Sequence, residues 1–163
     1  MTTSSLSGEI TSQLNRPADE YVNNESVEVA WAMKAFEHSQ VHMNLLCAVE
    51  PSGLRLCARD DDIYKAFRLR FPDFSLQNIA ESELKSDEAK EKWRSFINLF
   101  KDMDEHDMGT LLRMDANDVY NEQNTILVSR IQFLAIEVAR NRESVNSACR
   151  PNYKAIQAKQ AQS

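Results

Sequence analysis

Between residues 25 and 50 the apolar positions fall on two stripes at helical spacing. One holds Val27, Trp31, Leu45 and Val49, the other Val29, Met33, Phe36, Met43 and Cys47. With no Gly or Pro in between, the pattern predicts one long helix, and apolar stripes on two sides predict burial on both, at the centre of the domain. A membrane-surface helix would oppose one apolar face to a basic one, and this stretch has neither. Pro51-Ser52-Gly53 stops it. A second helix is expected over 60–71, with Ile63, Phe67 and Phe71 inward, three aspartates (Asp60, Asp61, Asp62) at its positive end and Pro72 after it. Ser86 is an N-cap for a third helix whose inner face is Ala89, Trp93, Phe96 and Phe100. Residues 110–115 alternate, Leu112 and Met114 against Leu111 and Arg113, which is the period of a strand. Residues 74–80 are the strand expected to pair with it. The last strong helix is expected over 122–143, with Leu127, Ile131, Leu134, Ala135 and Val138 facing the core.

These segments predict a mainly α (α+β) fold, four main helices in a compact bundle with a small two-stranded antiparallel ribbon. Residues 1–20, rich in Ser, Thr and Asn, read as a mobile arm, 21–150 as one globular domain and 151–163 as a polar tail that frays. At 163 residues, 42% hydrophobic and 27% charged, the chain is long enough for a single core. No apolar run approaches the ~18 residues of a membrane span. Met1-Thr2-Thr3-Ser4-Ser5 has neither a basic start nor an apolar stretch, so a cytoplasmic protein is expected.

Composition then removes several chemistries. With only Gly8, Gly53 and Gly109, the chain has no glycine-rich phosphate loop. Cys47, Cys57 and Cys149 are odd in number and form no CxxC, against a disulfide framework or a cysteine-rich zinc site. Net charge is −6, unevenly spread: residues 130–163 carry six bases against two acids, +4, which leaves −10 for the rest. Such an end can contact a polyanion such as ribosomal RNA; equally it is a solvated helix end.

Local chemistry nominates little. His38 and His42 share one helix face at i, i+4, a zinc-capable spacing, but without the glutamate of HExxH and on an apolar stripe they read as packing residues. The acidic run Asp102 to Gly109 fails the calcium-loop register, which would put His106 and Met108 where oxygen ligands are required. No GxSxG is present. No catalytic residue, metal or cofactor is expected. On the last helix Arg130, Glu137 and Asn141 lie at i, i+7 and i+11, bordered by Phe133 and Arg140, with Arg113 as a possible neighbour. An aromatic among fixed charges suits a partner-binding patch. The same residues could instead tie the helix to its neighbours, through Asp115 or Arg113.

Three ordered stretches carry a family resemblance: Val29-Ala30-Trp31-Ala32-Met33-Lys34-Ala35; Glu83-Leu84-Lys85-Ser86 with Ala89-Lys90-Glu91-Lys92-Trp93-Arg94; and Gly109-Thr110-Leu111-Leu112-Arg113 with Arg130-Ile131-Gln132-Phe133 through Ala139-Arg140-Asn141-Arg142-Glu143. Over residues 20–147 the chain resembles the eukaryotic polysaccharide biosynthesis domain-containing protein 1 family. The family name implies carbohydrate chemistry, a transferase or a methyltransferase-related enzyme, but the glycine-rich turn of such cofactor sites is missing. More fully, the resemblance implies a cytosolic, ribosome-associated chaperone of newly made translation elongation factor 1-alpha. It would protect the client's GTP-binding domain, act as a monomer and need no catalytic residues, DNA or membrane. A structural metalloprotein using His38 and His42 is the third alternative.

Overall fold

The computed structural model describes residues 24–162; the arm expected over residues 1–20 lies outside them. Helix α1 is Asn24–Ala48 and a 3-10 turn follows at Pro51–Gly53. Helix α2 is Asp60–Arg70, the single turn α3 is Ser82–Lys85, and α4 is Asp87–Asn98. Strand β1, Gly109–Arg113, is followed by β2, Thr125–Ser129, then by α5, Arg130–Arg142, and α6, Val145–Gln162. The fold is mainly helical with one two-stranded antiparallel sheet, β1 on β2, in the register Gly109 opposite Ser129 through Arg113 opposite Thr125.

Local chemistry explains the element ends. The Asp60 carboxylate accepts the N–H groups of Leu56 and Cys57 at 2.8 and 2.9 Å, folding the preceding segment onto the start of α2. Ser86 Oγ accepts the Ala89 N–H and starts α4. Phe67 of α2 meets Trp93 and Phe96 of α4, Ile63 is buried in the same cluster, and the Phe71 and Trp93 rings stack at 4.2 Å. Trp93 donates its indole N–H to the Glu83 carbonyl at 3.0 Å, so its polar atom is satisfied inside the aromatic cluster. A smaller apolar cluster, Met43, Leu46, Val119, Cys149 and Tyr153, joins α1 to α6.

Four expectations are corrected. Residues 74–80 form no ladder strand. They meet the ribbon only beyond β1, through an isolated bridge between Asn78 and Asp115 and the bonds Ile79 N–H to Met114 O and Ala116 N–H to Gln77 O. The Leu76 carbonyl is instead taken by Arg140 Nε at 2.9 Å. The true partner strand lies within the span read as the start of the last helix: Thr125-Ile126-Leu127-Val128 is extended, and the helix begins only after Ser129. There Ser129 and Gln132 form a reciprocal capping box.

The central helix is α5, not α1. Every residue from Ile131 to Asn141 is buried, including the polar Gln132, Glu137, Arg140 and Asn141, whose burial requires internal hydrogen-bond and charge partners. Helix α1 buries one face, Ala35, Ser39, His42, Met43 and Leu46, and leaves Val29, Met33 and Phe36 exposed. Finally, the tail does not fray at Pro151: α6 continues to Gln162 and Tyr153 is fully buried.

Gly109 shows how closely α1 meets the ribbon. A Cβ built there would fall 2.0 Å from Trp31 Cζ2 and 2.9 Å from Cη2, so the indole occupies the space a side chain needs. Gly109→Ala is expected to cost about 1–3 kcal/mol in urea unfolding through this overpacking. Trp31 emission should shift to longer wavelength while the buried Trp93 stays unchanged. Wild-type stability and emission in the variant would contradict the packing.

Candidate functional site

Of the six residues proposed for a partner-binding patch, five are interior. Arg113, Glu137 and Arg140 are 0% exposed, and Asn141 and Phe133 are buried beside them. The proposed surface patch is therefore corrected to an internal network that ties α5 to its surroundings. Arg113 Nη2 donates to both Glu137 oxygens at 3.1 and 3.0 Å and to Asn146 Oδ1 at 3.0 Å. Arg140 Nη1 donates to Glu137 Oε2 at 3.1 Å. Asn146 Nδ2 donates to Glu137 Oε1 at 3.0 Å and Asn141 Oδ1 at 2.7 Å. The Arg113 guanidinium lies over the rings of Tyr153, at 5.0 Å, and Tyr120, at 5.7 Å. Burial alone would push the Glu137 carboxyl up, but the two guanidinium groups outweigh it and hold it below the ordinary carboxylate range. Burial and the Glu137 charge both push the Tyr120 phenol up, so it stays neutral.

His42 borders this network. Its Nδ1 lies 2.7 Å from the Tyr120 hydroxyl, and its ring meets Phe133 edge-on at 5.1 Å. Burial, reinforced by Arg113 and opposed by Glu137, lowers its pKa to about 4, so the ring is neutral near pH 7. His38 also packs on Phe133. Among the described residues no three His, Cys, Asp or Glu side chains converge to hold a metal. In the acidic loop Asp102 receives two hydrogen bonds from Arg59, and Glu105 pairs with Arg130 at 3.7 Å. Burial raises the thiols of Cys47 and Cys57, which disfavours their nucleophilic thiolate forms.

Arg130 alone of the six keeps a half-exposed side chain. It edges a cleft of about 240 Å³ between α1 and the ribbon, floored by Trp31, Val41, Met108 and Gly109. On the far side of α1, Val29, Met33 and Phe36 are 53, 59 and 56% exposed. At i, i+4 and i+7 they form one apolar stripe that stays more than half exposed among the described residues. Sequence periodicity found this stripe but assigned it to the core.

The basic end is largely occupied. Arg140 is buried, Arg130 faces Glu105, Arg142 donates to Asp61, and Arg150 donates to the Leu46 and Cys47 carbonyls. Lys154 and Lys159 are exposed. No helix among the described residues is long and apolar enough to cross a membrane.

Comparisons with known proteins cover this framework. A human protein named Protein PBDC1 is 45% identical over 147 residues, 88% of this chain and 63% of its own length. The Saccharomyces cerevisiae protein named Protein PBDC1 homolog is 41% identical over 129 residues, 76% of this chain and 88% of its own. The chain thus spans under two thirds of the human relative but most of the yeast one. A solution NMR structure of a Saccharomyces cerevisiae protein superposes with a TM-score of 0.72 at 38% identity, covering 83% of this chain and 97% of that one. The sequence profile described as PBDC1 protein matches residues 27–151, which takes in α1, the aromatic cluster, the ribbon, all of α5 and the first turns of α6, and the chain belongs to the PBDC1 family.

Proposed function

We propose that this chain is a ribosome-associated holding factor for newly made translation elongation factor 1-alpha, masking the client's GTP-binding domain until it folds, with no chemical step. The observation that carries this reading is the α1 stripe of Val29, Met33 and Phe36. Scattered exposed apolar residues are ordinary, but three in register on one helix suit a protein surface that is covered part of the time. Each is about half-exposed, so covering it contributes on the order of 1 kcal/mol, which suits reversible holding. A GTPase domain exposes strand edges before its long-range contacts form, and such edges aggregate unless masked. Family membership supports the reading through the resemblance described above. Contact with ribosomal RNA would rest on Lys154 and Lys159.

The test is capture of elongation factor 1-alpha, identified by antibody, from a translating lysate. Met33→Glu/Phe36→Glu is expected to lose most of the recovered client while keeping the wild-type melting temperature, because both residues face solvent. Equal recovery by the two proteins would remove the stripe as the client surface. Phe133 is unsuitable for this test, since its truncation opens the core.

A further inference from the structure

The sheet ends at β2. Among the described residues no strand pairs with its outer side. The direction of its backbone groups follows from the register. The ladder pairs Arg113 with Thr125, so the next pair is Met114 with Asn124, and the Met114 N–H donates to the Asn124 carbonyl at 2.9 Å. Hydrogen-bonded and non-hydrogen-bonded pairs alternate in an antiparallel ladder. Leu112 with Ile126 and Thr110 with Val128 are then the bonded pairs, and Thr125, Leu127 and Ser129 turn their N–H and C=O groups away from β1. Two side-chain contacts agree: Lys85 Nζ donates to the Leu127 carbonyl at 2.8 Å, and the Ser129 N–H donates to Gln132 Oε1 at 3.0 Å.

What is left on this edge is the Thr125 N–H and C=O and the Leu127 N–H. Beside them lies an apolar pair, since Leu127 is 41% exposed and stands opposite half-buried Leu111. Unpaired main-chain groups flanked by apolar side chains are the chemistry that recognises an extended polypeptide. We propose that β2 accepts an extended client segment with alternating apolar side chains as a third strand, and that the Lys85 ammonium guards the edge by occupying the Leu127 carbonyl. The inference rests on the holding-factor reading and names the form of client held. Bonds to the main chain tolerate many sequences, while the Leu111–Leu127 pair favours an apolar side chain beside it. Lys85 blunts the edge against pairing with a second copy, as charged residues do on other exposed edges.

The probe is a synthetic octapeptide of alternating Val and Thr with lysine ends, compared with its fully N-methylated counterpart. The readout is amide hydrogen exchange by NMR on the full chain. The plain peptide is expected to slow exchange at Thr125 and Leu127, and the N-methylated one to leave both unchanged. Leu127→Pro removes an outward donor that the β1 ladder does not use, a position where edge strands accept proline, and should weaken the peptide by about tenfold or more. Lys85→Ala changes an exposed residue, frees the acceptor and should tighten binding about threefold. This opposite sign keeps the test informative even if Leu127→Pro unfolds. Protection confined to Val29, Met33 and Phe36, equal protection by both peptides, or an unchanged affinity in Lys85→Ala would overturn strand addition. Loss of strand addition with client capture intact removes this inference alone, whereas loss of capture in Met33→Glu/Phe36→Glu is scored separately on α1.

Discussion

Glu137→Ala is expected to destabilise the fold by about 3–5 kcal/mol, read as a fall in the urea midpoint and in Tm. The carboxylate is fully buried between Arg113 and Arg140, and its removal leaves two guanidinium groups with no counter-charge. Asn146 loses an acceptor at the same time. The remaining hydrogen-bond partners of the arginines are neutral: carbonyls of Leu76, Met114, Ala116 and Asp118 and the Asn146 amide oxygen. Those bonds orient the charges without cancelling them. Arg113→Ala removes one of the stranded cations, so a cycle of the two single variants and the double should show strong coupling, the double losing clearly less than the sum. A loss under 1.5 kcal/mol in Glu137→Ala, or simple additivity, would mean that water reaches the network and screens it.

Acidification from pH 6.5 to about 4 is expected to remove about 3 kcal/mol through His42. Its pKa falls from 6.5 in the unfolded chain to about 4 in the fold, chiefly by burial. In this window the unfolded chain binds a proton that the folded chain refuses. Stability is therefore complete above pH 6.5, declines as the pH drops, and loses nothing more from His42 below about 4. His38, lowered by burial and by Arg130, adds in the same direction. Glu137 acts lower: its stabilisation is present above the unfolded carboxylate range near 4.5 and is lost only below it. Urea midpoints between pH 4.5 and 7.5 separate these effects. His42→Gln should flatten most of the slope across that range and leave the steeper loss at lower pH. Parallel slopes for variant and wild type would show that His42 takes up its proton at the same pH in the folded and unfolded chain.

The parts of the fold readable in the sequence were those where one physical signal acted alone. Ile63 and Phe67 at i, i+4, with Pro72 behind them, gave α2, and the Ser86 cap with Trp93 and Phe96 gave α4. Alternation over Thr110 to Arg113 gave β1. Strand β2 was hidden because Thr125–Ser129 runs straight into α5 with no Gly or Pro between them; the usable signals were its β-branched run and the Ser129-x-x-Gln132 capping pattern. Helix α1 misled for a different reason. Periodicity defines stripes without saying which is covered, and here the covered face includes the polar Ser39 and His42, bonded to the Phe36 carbonyl and the Tyr120 hydroxyl. For the candidate site, the spacing of Glu137 and Asn141 grouped residues that do act together, but i, i+7, i+11 is the same inside a core as on a surface. The deciding information lies outside the helix: Arg113 and Asn146 supply the partners that let the polar side of α5 be buried.

The eleven consecutive buried residues of α5 have a consequence for genetic mapping. A screen for variants that no longer support a partner in cells will collect hits across 131–141, because damage there raises the unfolded fraction that quality control degrades. Such hits report protein abundance. Only those that leave the steady-state level untouched carry information about recognition, and they should fall outside this helix.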